Sequence, residues 1–120
     1  MIDHPEGIIV TISQRYLKER GNKAWLEDFM NAMNNESYTY WLRLGNRPKW
    51  EVLYIYLIIG NRIRYRYGFV MYEEGGSFNT SDGRLIFANC WLVGIGPLTK
   101  ANEVIHRRGF QGFRYTGFIF

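Results

Sequence analysis

The sequence predicts an α+β domain, a small curled β-barrel of about six strands with one or two helices near the N-terminus. Three observations lead there. In the front third, Trp25, Phe29 and Met33 recur at helical spacing. The remainder is dominated by short β-branched and aromatic runs. Glycine-bearing turns separate those runs, which suits a small barrel closed at one end by a helix. With 120 residues and 47% hydrophobic content, one core can be buried, so a single domain over 1–120 is expected.

In chain order, Ile8 to Ile12 is a β-branched run and reads as the first strand. Ser13 then caps a helical segment, QRYLKER, which Gly21-Asn22 interrupts. Asn22 caps a second helix over Lys23 to Asn34, whose apolar stripe reads as core. Ser37 to Leu44 alternates aromatic and polar residues, as a strand does, and Gly45 to Pro48 breaks it. EVLYIYLII, Gly60-Asn61 and RIRYRYGFVMYEE then form a hairpin with a two-residue turn.

Counting outward from that turn pairs Ile59 with Arg62, Leu57 with Arg64 and Ile55 with Arg66. Cross-strand partners share a face, so the arginines fall in one row and Tyr54, Tyr56, Tyr65 and Tyr67 on the other side. Gly68 marks a bulge or bend. EEGGSFNTSDGR reads as a solvated loop, and Leu85 to Val93 as a buried strand. Gly94 to Pro97 turns the chain, LTKANEVIHR is an irregular connection or short helix, and Phe110 to Phe120 returns as the final strand.

Lys and Arg number 15 against 11 Asp and Glu, for a formal charge of +4. This balance permits contact with phosphates without requiring it. Cys90 is the single cysteine, so no internal disulfide forms, and a reducing, cytoplasmic setting follows. It lies in the apolar run LIFANCWLVG and reads as a core residue. His4 and His106 are far apart, so no zinc spacing exists and no cofactor is expected. The start, MIDHPEGIIVTIS, lacks a signal-peptide pattern. LYIYLIIG is much shorter than the ~20 residues of a membrane helix.

Three groups of residues are candidates for binding. Arg62, Arg64 and Arg66 would stand ~6.6 Å apart along a strand, suited to following a nucleic-acid backbone. The same row also serves to keep a strand soluble and block edge pairing. Trp41, Arg43, Arg47, Lys49 and Trp50 mix rings with cations, the chemistry of single-strand recognition, although large aromatics beside a loop also plug cores. In RGFQGFRY, Gly109 and Gly112 allow close approach, Gln111 can read one base edge, and Arg114 and Tyr115 offer a cation and a ring. A barrel corner filled by phenylalanines explains that stretch equally well. No catalytic constellation stands out, and the trio Lys49, Thr39 and Glu51 is of a kind any such chain offers.

An opening strand and helix, the hairpin YIYLIIGNRIRYR, and WLVGIGP leading to RRGFQGFRY together resemble the PUA-like superfamily, in particular its ASCH branch. That resemblance implies a curled barrel with a cleft that binds RNA or a modified base. A few ASCH members hydrolyse modified nucleosides. The ASCH signature is Gly-x-Lys-x-x-Glu-x-Arg. Here Gly21-Asn22-Lys23 begins similarly, but Glu27 comes one position late and no arginine follows, so neither Lys23 nor Glu27 inherits a catalytic role.

The leading expectation is therefore a non-catalytic module for RNA or a modified nucleotide, in a cleft between the 40–50 segment and the final strand. Trp41 or Trp50 would stack a base, Gln111 would read an edge, and Arg47, Arg64 and Arg114 would hold phosphates. Two other classes remain open: a small amidohydrolase for modified nucleosides, and a protein-interaction accessory factor of phage or mobile-element type.

Overall fold

The computed structural model describes residues 4–12, 39–79, 83 and 85–120. The segments read as helix, within 14–34, lie outside the described residues. Within them the protein is a six-stranded sheet: β1 (Gly7–Thr11), β2 (Thr39–Leu44), β3 (Tyr54–Ile59), β4 (Arg62–Asn79), β5 (Leu85–His106) and β6 (Phe113–Thr116). The spatial order is β2-β5-β4-β3-β1-β6. Only β1 and β3 run parallel among the pairings, and the other neighbours are antiparallel.

The central pair β1 and β3 is buried on both faces, which explains why GIIVT and YIYLII are near-continuous apolar runs. Alternation divides their side chains. Ile8, Val10, Ile55 and Leu57 point to an inner core that also collects Tyr72, Cys90 and Leu92. Ile9, Tyr56 and Ile58 point outward to a second core with Ile63, covered by Phe110, Ile119 and Phe120. The inner core receives Leu42 and Leu44 from one edge strand and Phe113 and Tyr115 from the other. A flat sheet would hold those edges apart, so the sheet curls into a half-barrel.

Irregular pairing bends the long strands. The β4–β5 register shifts between Ile63 and Tyr65, between Arg66 and Gly68, and between Phe69 and Met71. Extra residues of this kind bend a strand and increase its twist. The Gly96-Pro97 peptide, which is cis, lies within one of these stretches.

Four readings of the sequence are corrected here. Gly94 to Pro97 does not reverse the chain, and 98–106 is neither helix nor irregular connection: both belong to β5, which continues to His106. The stretch from Glu73 to Asn79 is strand rather than loop, because it pairs with Leu85–Trp91. The last strand is confined to Phe113–Thr116, since β1 offers it only the partners Gly7 to Val10.

The fourth correction concerns the arginines. The Gly60-Asn61 turn is as expected, with φ of 61° and 58°, and Ile59 pairs with Arg62. Arg64 then has no partner on β3: Ile58 faces Ile63 and Leu57 faces Tyr65. This one-residue bulge reverses the faces of everything beyond it. Arg66 pairs with Tyr56, and Tyr67 with Ile55, so the row of three arginines does not form.

Candidate nucleic-acid interface

The bulge leaves Arg62 and Arg64 exposed near the hairpin tip, and sends Arg66 to the outer face. A second basic segment joins that tip. His106 pairs with Arg62 at the end of β5, and the Arg107 amide donates to the Asn61 carbonyl at 3.0 Å. The Gly109 amide donates to Asn61 Oδ1 at 3.0 Å, and the Phe110 amide to Thr11 Oγ1 at 3.1 Å. Asn61 thus shapes the turn with its positive φ and anchors the β5–β6 connection with two acceptors.

The glycines of that connection have separate reasons. A Cβ on Gly109 would meet Thr11 Cγ2 at 2.7 Å, and Gly112 has φ of 74°, a conformation that most side chains strain to adopt. Between them the chain presents Phe110. The Arg114 guanidinium lies 4.3 Å from the centre of its ring and that of Arg107 lies 5.9 Å away. Phe110 packs on the outer core, so this ring is a fixed platform carrying two cations. Arg108 and Gln111 are exposed beside it. Arg62, Arg64, Arg107, Arg108 and Arg114 therefore gather at one end of the sheet. On the last stretch of β5, Glu103 is the acid that accompanies them.

The other candidates lie elsewhere. Trp41 shares the outer face of β2 with Arg43 and packs edge-on to Trp91 at 6.4 Å. Trp50 is half-buried at the opposite end of β6 from Gln111. Its amide donates to the Tyr115 hydroxyl at 3.0 Å, and its carbonyl accepts from the Tyr72 hydroxyl at 2.6 Å. His4 meets its ring edge-on at 4.5 Å, and Lys49 Nζ lies 4.9 Å from the ring centre. The 40–50 segment and the final strand do meet, but hydrogen bonds and core side chains fill the junction. Tyr115 is a strut there, not a free ring.

Arg47 lines an open depression of about 430 Å³ with Glu73, Glu74, Phe87 and Asn89, where two carboxylates offset its charge. Cys90 touches that depression yet is only 1% exposed, and burial pushes its thiol up while Arg47 partly opposes the shift. It is a core thiol, as its apolar run implies. Thr39 shares the outer face with Trp41, to which its hydroxyl oxygen is bonded, whereas Trp50, between Lys49 and Glu51, is tied to the inner-core Tyr72. Lys49 and Glu51 are exposed on the segment that follows the far end of β2 from Thr39. Among the described residues no group of acids, histidines and cysteines could hold a metal ion, and no helix is long and apolar enough to cross a membrane.

Of the sequence candidates, the fold therefore unites Arg62, Arg64, Gln111 and Arg114, and separates them from Trp41, Arg43, Arg47, Lys49, Trp50 and Tyr115. Reading the sequence missed Arg107 and, within the candidate stretch RGFQGFRY, gave no binding role to Arg108 or Phe110. The adjacent pair Arg107-Arg108 before a glycine was the available signal, hidden because the end of β5 was read as a connection. Comparison with models of known protein families, with curated proteins and with solved structures finds no match to this chain.

Proposed function

We propose that the protein is a non-catalytic binding module for single-stranded RNA or a modified nucleotide, held at the arginine-rich end of the sheet. The observation that carries this reading is Phe110 with two guanidiniums fixed on its ring, 4.3 and 5.9 Å from its centre. Stacked guanidiniums still offer their in-plane N–H groups, which suit phosphate oxygens. Arg62, Arg64 and Arg108 extend the positive end, and the exposed amide of Gln111 can pair with a base edge splayed beside it. The resemblance to the PUA-like superfamily, whose members bind RNA or modified bases, supports the same reading. The buried single thiol accords with a reducing, cytoplasmic setting.

Fluorescence anisotropy with a labelled oligouridylate tests it. The native protein should bind, and Phe110→Ala should weaken binding by about 1–2 kcal/mol, the cost of ordering on binding two long side chains that the ring no longer holds in place. Unchanged affinity in that variant, with its fold intact by circular dichroism, would refute the assignment.

One observation favours a protein-interaction role instead. Leu85 and Phe87 stand 69% and 64% exposed on the β4–β5 arm. Light scattering that shows self-association, lost in Phe87→Ser, would support that role.

A further inference from the structure

Arg66 lies away from the arginine-rich end and is incompletely satisfied. Its guanidinium sits 4.2 Å from the centre of the Tyr54 ring, with Phe118 and Phe120 at 5.6 and 5.5 Å. Its Nη1 is buried with no hydrogen-bond partner. A charged donor kept from water without an acceptor is costly, so the site lacks a partner, and the charge calls for an anionic oxygen. Above it, Phe118 meets Tyr54 edge-on at 6.0 Å yet remains 61% exposed. The segment carrying it is held through the Tyr56 hydroxyl, which accepts from the Ile119 amide at 3.1 Å and approaches the Phe120 carbonyl at 3.4 Å.

Strand register links this place to the arginine-rich end. Arg114 pairs with Ile9, Ile9 with Tyr56, and Tyr56 with Arg66. These residues form one row on the outer face, and the two arginines at its ends stand three strand spacings apart, about 14 Å. Ile9 and Tyr56 are buried beneath Phe110, Ile119 and Phe120, so a nucleic-acid strand leaving Phe110 crosses above the row, over Ile119 and Phe120, to reach Arg66.

We infer that Tyr54 and Arg66 form a second subsite on the same track, taking one base and one phosphate, and that Phe118 is a resident stand-in for the base. The inference rests on the nucleic-acid reading above. An incoming base replaces the Phe118 ring against Tyr54 and Arg66, while a phosphate oxygen supplies the acceptor that Nη1 lacks. Ile119 and Phe120 stay packed on the outer core.

The test compares labelled oligouridylates of about four and about eight nucleotides, lengths at the lower end of single-strand site sizes. Phe118→Ala removes an exposed ring and should tighten binding of the longer oligomer about 3- to 10-fold over the native protein, the scale of the Phe118–Tyr54 ring pair that the base no longer has to displace. Adding Arg66→Gln should cancel that gain. Equal or weaker binding of the longer oligomer by Phe118→Ala overturns the subsite, whatever the double variant does. If the native protein binds the short oligomer and only the length-dependent gain is missing, the subsite alone is lost. If neither protein binds either oligomer, the nucleic-acid reading falls with it.

Discussion

Tyr72 shows how one side chain ties the 45–51 segment to the sheet. Its ring belongs to the inner core and its hydroxyl donates to the Trp50 carbonyl at 2.6 Å. Replacing it with phenylalanine leaves that carbonyl without its donor, which should cost about 1–3 kcal/mol in urea unfolding. A pH dependence follows. Burial, and then the neighbouring Tyr115, raises the Tyr72 hydroxyl above the ordinary value of 10.0. Above that pH the unfolded chain releases a proton that the folded protein keeps. The contribution is therefore complete below pH 10 and declines as pH rises past it, by about 1.4 kcal/mol per unit for one group. Alkaline unfolding curves should be shallower for Tyr72→Phe than for the native protein. At this scale the sequence was partly legible. Cys90 reads as core from its apolar neighbours, but nothing adjacent to Tyr72 or Tyr115 announces that both bond to Trp50, because the partners lie 22 and 65 residues away.

The β3–β4 hairpin shows where legibility stops within an element. Its turn is local chemistry: glycine and asparagine tolerate positive φ, and the flanking runs are strongly β-forming. The register beyond it is not local. Arg64 is left out of the β3 pairing, so each later residue faces opposite to a count made from the turn. Placing Tyr67 in the inner core and Ile63 in the outer one requires this shift. Burial of large side chains on both faces outweighed the continuity of the ladder, and no feature of RIRYRYG marks the position of the extra residue. The same hairpin also positions the binding end through Asn61. Asn61→Gly keeps the turn conformation but removes the acceptor for the Gly109 amide. Stability to urea should change little, while affinity for oligouridylate should fall about 2- to 10-fold, the worth of one hydrogen bond. Equal loss of stability and affinity would instead mean that Asn61 acts only through the fold.

The charge distribution of the whole molecule belongs to topology, since +4 spread along the sequence says nothing of where it gathers. Pairing β6 with β1, and β5 with β4, carries Arg107, Arg108 and Arg114 to the turn that holds Arg62 and Arg64. At the tip the β5–β4 contact joins Arg62 to His106, 44 residues on, and the β6–β1 contact joins Gly7 to Thr116, 109 residues on. Both are beyond the reach of periodicity or turn chemistry, and the same pairing carries Trp50 to the other end of β6. If four of the five arginines meet phosphates, binding must depend steeply on salt. With about four phosphates neutralised, the logarithmic slope for a single strand is near −2.8, so raising salt from about 50 to about 200 mM should weaken binding roughly 50-fold. Arg114→Ala should flatten the slope by about 0.7, because it removes one phosphate partner. Trp41→Phe lies outside the positive end and should leave the slope unchanged. A slope near zero, or one that Arg114→Ala does not alter, would mean that the arginines serve the folded sheet and take no part in binding.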